Sequence, residues 1–423
     1  MTAQRRVLWF GILVCSLASL FYVYDYFVQV APSIMTHQLM SAFSIDAASL
    51  GALGSCFFIT YTLMQIPAGM LLDRFGARKM LSGAAFVSAC GVIVFSFAHQ
   101  LWQAEVARAL IGLGSAFAFL STVSLISRWF KHHYFAFLVG FLQFAGALGS
   151  IFGQGPLAVF INHEGWRSAM FLIGIGSFVL SAVFALIIRD GKPTPQDLSS
   201  SGEKSKKAGE SSLKAVFKNT QVWWISLCGY VAWAPASAFA ALWGVPFLME
   251  AYHLTNVQAG SLFTWFWIVV GVGGPVVGWL SDKIQRRCLP IAVGFSLGLL
   301  SSFVLLWAGH YPLWISGVLL FLLGVSVSVQ SLTFGIIKDR VADNHFATAS
   351  GINNMITVFS GAMLQPLIGW LLTKHWEGKM LHGAPFYSLH AYQIALSVVP
   401  IVMLIGLFII LFRVKETYCQ KQV

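Results

Sequence analysis

Charge is scarce in this chain of 423 residues: Asp, Glu, Lys and Arg together make up 10% of it. A soluble domain carries about 25%, and a soluble chain of this length divides into domains with polar surfaces. Acids are scarcer than bases, 15 against 26. Cysteine is also sparse: Cys15, Cys56, Cys90, Cys228, Cys288 and Cys419 form no close pair with metal-ligand spacing, and none lies in a predicted outer loop. They read as small buried hydrophobes rather than a disulfide framework. No phosphate-cradling glycine loop, no Ser/His/Asp order and no Cys/His metal spacing is present, which points away from ATP drive and from an enzyme. His132 and His133 are adjacent, so on a helix they point about 100° apart and do not share one metal. No cofactor and no metal are expected.

Apolar residues are what the chain has in excess, at 57%. A bilayer core needs roughly 20 apolar residues per helix. Twelve such windows are legible, at about 8–30, 49–72, 80–98, 102–127, 134–160, 167–188, 221–249, 257–280, 288–308, 312–337, 347–373 and 388–412. The fold class that follows is an all-α integral membrane protein of twelve transmembrane helices. Arg5-Arg6 before Val7–Tyr22 mimics a signal peptide, but the apolar run is too long and is read as a retained first helix. With a cytoplasmic N-terminus and alternating helices, 22 of the 26 Lys and Arg fall inside. That bias sets orientation: an inner-membrane, multi-pass protein with both termini cytoplasmic. It also accounts for the net charge of +11 without nucleic acid. Residues 189–220, rich in Ser, Lys, Gly and Glu, interrupt the apolar pattern as a flexible cytoplasmic linker. They divide the chain into 1–188 and 221–423, with six helices in each. In the outer loop 374–387, Trp376, His382, Pro385 and Tyr387 suit an interfacial belt or a binding surface.

The halves repeat. Gly69-Met-Leu-Leu-Asp73-Arg74-Phe-Gly76-Ala-Arg78-Lys79 returns, altered, as Gly278-Trp-Leu-Ser-Asp282-Lys-Ile-Gln285-Arg286-Arg287, 209 residues on. Window five opens with Gly140, carries Gln143 and closes near Gln154-Gly155-Pro156. Window eleven opens with Gly351, carries Asn353 and Asn354 and closes near Gln365-Pro366. Parallel repeats of this kind mark transporters.

On these residues the chain resembles the major facilitator superfamily along its whole length. Gly69–Lys79 matches that family's signature between helices 2 and 3, and Arg108-x-x-x-Gly112-x-Gly114 matches its helix 4 motif. The resemblance implies two pseudo-symmetric six-helix bundles around a central cavity, with a small-molecule substrate, the proton gradient as energy source, and the chain acting as a monomer. It makes Gly69, Asp73, Arg74, Gly76, Arg78 and Lys79 a latch that holds the outward-open state, with Asp73 accepting hydrogen bonds from Arg78 or from a helix end across the seam. Gly278, Asp282, Arg286 and Arg287 form the second copy, in which Gln285 replaces the turn glycine. A basic loop that only fixes topology is the alternative.

Asp25 and Arg108 are the intramembrane charges. Counted from helix ends near residues 30 and 102, they lie about 7–8 Å and 9 Å below one edge, so an Asp25–Arg108 pair facing the cavity is expected. Asp25 then carries a coupling proton, or Arg108 binds a substrate carboxylate, or the pair is structural. Glu105, three residues before Arg108, neutralises it. Tyr22, Asp25 and Tyr26 share one helix face, while Tyr24 points elsewhere. The tyrosines line a cavity or belong to an interfacial belt. Gln143, Tyr230, Trp233, Gln330, Asn353 and Asn354 are the remaining cavity candidates, with helix–helix glue as the other role for the amides. Pro235 and Pro246 are possible bends in window seven. The function expected is secondary active transport of an organic anion, a peptide-like or a siderophore-like solute by proton symport, with drug or metabolite antiport and a non-transporting sensor as alternatives.

Overall fold

A computed structural model describes residues 3–130, 132–190, 216–309 and 312–422. Among them, twelve helices are long and apolar enough to cross a membrane. The first six are α1 (Trp9–Ile34), α2 (Ala47–Phe75), α3 (Ala77–Phe97), α4 (Leu101–Trp129), α5 (Phe137–Glu164) and α6 (Trp166–Ile187). The last six are α7 (Thr220–Tyr252), α8 (Asn256–Ile284), α9 (Cys288–Trp307), α10 (Leu313–Arg340), α11 (Thr348–Lys374) and α12 (Leu389–Phe412). An even number of spans returns the chain to its starting face, here called the terminal face. Most of the expected linker, 191–215, lies outside the described residues.

A soluble protein has an apolar inside and a polar outside; here the outside is apolar as well. Leu63, Phe137, Leu186 and Phe412 are exposed where lipid would lie, while Asp25, Gln154, Arg108 and Gln365 are buried. Backbone groups are satisfied within helices, as lipid demands. α3 packs on α6 and α4, and α1 on α5. In the second half α9 packs on α10 and α12, and α7 on α11. The two halves meet along α2 with α11 and along α5 with α8. Each of these seams is the other's counterpart under the six-helix repeat, so the pseudo-twofold axis runs between them.

Several spans are broken. α5 stops at Phe152 and resumes at Gly155, and α10 stops at Ser328 and resumes at Gln330. In α7 the residues Pro235–Trp243 wind as a π-helix. Proline lacks the N–H that would continue the α ladder, so the expected bend at Pro235 is a local rewinding. Pro275 sits inside an uninterrupted α8.

The opposite face carries connections that the twelve windows did not contain. A 3-10 turn, Ala31–Ile34, extends α1, and a short helix, Thr36–Phe43, follows it. Between α11 and α12 a two-stranded hairpin pairs Met380 with Pro385 and Leu381 with Ala384. His37 Nε2 lies 2.8 Å from the Leu381 carbonyl oxygen, and Ser41 Oγ donates to that of His382 at 3.1 Å. Tyr387 OH accepts the N-terminal N–H of Ala47 at 2.8 Å. This is called the hairpin face.

Candidate functional site

A cavity opens at the seam between the halves, lined from α1, α2, α4, α5, α7, α10 and α11. α1 contributes Tyr22, Asp25, Tyr26 and Gln29, a stripe at i, i+3, i+4 and i+7. The stripe reaches the cavity because α5 supports its back closely. A Cβ at Gly149 would strike the Val23 carbonyl oxygen, and one at Gly146 would sit 2.8 Å from Tyr22 Cε1. Small residues bring membrane helices together in this way. Tyr22 OH donates to Gln143 Oε1 at 2.6 Å and lies 3.1 Å from Tyr26 OH. Tyr24 points away from the cavity and stacks on Phe21 at 6.0 Å.

Of the expected cavity residues, Tyr22, Asp25, Tyr26, Gln143, Trp233, Gln330 and Asn354 line it together. Three do not. Asn353 is fully buried and donates from Nδ2 to Thr333 Oγ1 at 2.9 Å, tying α11 to α10 as helix glue. Tyr230 is half-buried outside the lining, packed between the two apolar clusters of the molecule. Arg108 is 2% exposed and faces away from the cavity.

The expected Asp25–Arg108 pair is not formed. Arg108 Nη1 donates to the Val28 carbonyl oxygen at 3.0 Å, and its Cζ lies 4.9 Å from the Phe57 ring centroid. The reason is the length of α1. It continues to Ile34, four residues past the assumed edge. Val28, six residues from that end, is then about 9 Å deep, the depth of Arg108. Asp25 lies a helical turn deeper. Its carboxyl is 1% exposed, and Oδ1 has no hydrogen-bond partner. Glu105 forms no ion pair with Arg108 either and remains half-buried.

Residues not foreseen complete the wall. Gln29 continues the α1 stripe, a signal available at i+7. Phe57, Phe58 and Tyr61 come from α2, Phe119 from α4, Phe334 from α10, and Thr357 and Val358 from α11. Asn354 Nδ2 donates across the seam to Gln65 Oε1 at 2.8 Å. Rings dominate: Tyr26 meets Trp233 edge-on at 6.3 Å, and Tyr22 lies 5.5 Å from Phe119.

On its hairpin side the cavity is roofed. Trp267, 6.4 Å from Tyr26, donates Nε1–H to Gln154 Oε1 at 2.8 Å. Gln154 Nε2 donates to Ser33 Oγ at 3.1 Å and to the Ala240 carbonyl oxygen at 2.8 Å. Its repeat counterpart Gln365 donates to the Ser237 carbonyl oxygen at 2.7 Å, and its own carbonyl oxygen accepts Trp243 Nε1–H at 3.0 Å. Among the described residues, no neighbouring atom lies within 4 Å of where a Cβ would sit at Gly69, Gly278 or Gly351.

In the charged loops, Arg78 and Arg287 bond within their own halves. Gly76 adopts φ +80° between α2 and α3, a backbone region that suits glycine. Arg78 donates from Nε and Nη2 to the Ala185 carbonyl oxygen, and Asp190 Oδ1 accepts Arg78 N–H at 2.8 Å. These side-chain bonds run to α6 rather than to Asp73. Arg74 lies 5.1 Å over the Phe75 ring. Lys79 follows in the first turn of α3. In the second copy Gln285 takes the turn at φ +53° and donates Nε2–H to the Asp282 carbonyl oxygen at 2.6 Å. Arg287 pairs with Asp282 at 2.7 Å and with Asp339 at 3.4 Å. Glu416, beyond α12, accepts the N–H groups of Arg287 at 2.8 Å and Cys288 at 3.0 Å. Asp190 and Glu416 thus cap α3 and α9 as repeat counterparts. Burial disfavours the Arg287 cation, but Cys419, Asp282 and Asp339 around it outweigh that and hold it above its ordinary range. Arg286 lies exposed at the tip.

The family model of the Major Facilitator Superfamily matches residues 8–366 and 234–418, and the chain belongs to that family. It is a multi-pass membrane transporter protein rather than an enzyme. A probable hexose phosphate transport protein of Chlamydia trachomatis is 23% identical over 81% of this chain and 80% of that one. The membrane sensor protein UhpC of Escherichia coli is 23% identical over 84% and 85%. A probable sulfoacetate transporter of Cupriavidus necator is 24% identical over 63% and 64%. Among solved structures, a bacterial homologue of the lysosomal transporter Spinster, in an inward-facing state, superposes with a TM-score of 0.77 at 15% identity, covering 95% of this chain and 96% of that one. The nucleoside transporter NupG gives 0.73 at 13%, covering 95% and 99%.

Proposed function

We propose that this chain is a secondary active transporter of the inner membrane, with both termini cytoplasmic, that moves a small organic solute by alternating access and proton symport. One observation carries the reading. Among the described residues, Asp25 is the only ionisable acid or base apart from tyrosine that lines the seam cavity, and one of its buried oxygens has no partner. An ionisable group inside a membrane is costly to keep unless it works. With the termini cytoplasmic, the roofed hairpin side is the outer gate and the opposite side is the inner mouth, an inward-facing state. In the outward-facing state the two copies of the charged loop meet as the latch, and rocking one half against the other exposes the cavity in turn.

The test is uptake into proteoliposomes under an imposed proton gradient, with cargo found by thermal shift from organic anions, peptide-like, siderophore-like and uncharged solutes. Wild type accumulates its solute, while Asp25→Asn exchanges it without accumulation, a loss of at least about tenfold. Accumulation against the gradient by Asp25→Asn would refute the coupling role. Proton antiport is the second reading, favoured by the many rings around the cavity. It reverses the sign of the proton flux relative to the solute flux, which an internal pH dye reads directly.

A further inference from the structure

We infer that the cargo is an uncharged solute with a flat ring and hydrogen-bonding groups on opposite edges, and that organic anions are excluded. The inference rests on the symport reading of Asp25.

The charge census of the cavity comes first. Among the described residues, no Lys, Arg or His lines it. The nearest cation, Arg108, is 2% exposed, bonded to the Val28 carbonyl and stacked on Phe57, whose ring forms part of the wall. A carboxylate, sulfonate or phosphate in the cavity therefore meets no counter-charge, and a buried unpaired ion is strongly unfavourable. A symporter loads its solute together with the proton. With Asp25 protonated, the loaded cavity has no formal charge of its own, so only a neutral cargo leaves it neutral. A cationic cargo would compete with the proton for Asp25, which is incompatible with carrying both.

The hydrogen-bonding groups give the cargo's edges. Gln143 Oε1 is occupied by Tyr22 OH, which leaves its NH2 as a donor toward the cavity. Asn354 Nδ2 is engaged by Gln65, which leaves its Oδ1 as an acceptor. The two groups belong to opposite halves of the protein, so the cargo needs an acceptor toward one half and a donor toward the other. Phe57, Phe119 and Trp233 supply faces and edges for a ring between them, and such ring pairs are worth about 0.5–1.5 kcal/mol beyond area. Bridging both halves through neutral groups also lets the cavity close around the cargo without trapping a charge.

The experiment uses the purified full chain in nanodiscs and reads binding by equilibrium competition and thermal shift. Each ring system in the panel is offered as a carboxamide, a carboxylate and an N-methyl cation, with nicotinamide, nicotinate and 1-methylnicotinamide as the first set. The expected result is that uncharged members bind at least about tenfold more tightly than the matched anion, a difference of about 1.4 kcal/mol. An anion or a cation binding as tightly overturns the inference, as does the absence of any uncharged ring binder. Phe57→Ala uncovers Arg108, and nicotinate is expected to gain about tenfold over nicotinamide in that variant. No gain means that the ring is not what withholds the cation, and overturns the argument from Phe57. Proton coupling is read separately, as accumulation under a pH gradient. Selectivity for uncharged solutes without proton-driven uptake removes the symport reading alone. Anion preference with proton-driven uptake removes the cargo inference alone.

Discussion

The two ends of this bundle solve opposite problems. At the hairpin face the halves are tied together mainly by neutral groups, with one carboxylate among them: Gln154 to Ala240 and Trp267, Tyr387 to Ala47, Asn162 to Asn256 at 3.0 Å, and Asp46 to Thr373. At the terminal face the groups are charged, and Arg78 and Arg287 are satisfied within their own halves. Arg78 and Asp190 close the first half, while Arg287, Asp282, Asp339 and Glu416 close the second. Arg78 and Arg287 can keep these bonds when the halves part there. At the hairpin face water can replace each neutral hydrogen bond when the seal opens, since the net value of such a bond is only about 0.5–1.5 kcal/mol. A gate held by several weak contacts opens on a small bias.

The largest break in this contrast is expected from Gln154→Leu. It removes two cross-seam hydrogen bonds, to Ala240 and Trp267, at about 0.5–1.5 kcal/mol each, and shifts the population toward a form open at the hairpin face by about tenfold. Spin labels at residues 163 and 253 read the change as a longer distance. An unchanged distance distribution means the other contacts hold the seal alone.

A smaller effect distinguishes the two charged loops. Gly76→Ala forces a residue with a Cβ to φ +80° and places that Cβ 2.9 Å from Asp190 Oδ2. The expected cost is about 1–3 kcal/mol. Gln285→Gly, at the matching turn, relaxes a left-handed residue and is expected to change stability by less than about 1 kcal/mol. Thermal unfolding of the purified variants checks both, and equal shifts would contradict the difference between the loops.

The smallest effect concerns pH at the seal. Burial opposes ionisation of Asp46, but hydrogen bonds from Ser49 and Thr373 outweigh it and hold the carboxyl below its ordinary range. A lowered folded value contributes stability above the unfolded value of about 3.9, and that contribution is lost as pH falls through the folded value. Wild type therefore loses slightly more stability than Asp46→Asn between about pH 5 and pH 3. Parallel losses would show that the Asp46–Thr373 contact, 3.2 Å long, contributes nothing.

The twelve spans were legible because the bilayer leaves the chain one way to satisfy its backbone, and because apolar length is a one-dimensional property. Asp25 was legible for a related reason: an acid inside an apolar run stands out against it. Its neighbours were harder to see. Phe57, Phe119 and Phe334 face the cavity, yet by type they match the phenylalanines that face lipid. Gln29 was within reach, one repeat further along the stripe of Tyr22, Asp25 and Tyr26. The partner of Arg108 was missed through a depth count that ended α1 four residues early, since the 3-10 turn Ala31–Ile34 is not distinguishable by composition from loop.

By itself the sequence determined how many times the chain crosses the membrane, the two-fold repeat, the family, and where an ionisable group had to be buried. Each of these follows from local composition or from the spacing of residues along one helix. Only the tertiary structure decided that Arg108 turns from Asp25 to Val28, that Asn354 rather than Asn353 faces the cavity, and that Arg78 and Arg287 bond within their own halves. Those outcomes depend on the rotation and depth of one helix against another, which packing between distant segments sets and no single segment encodes.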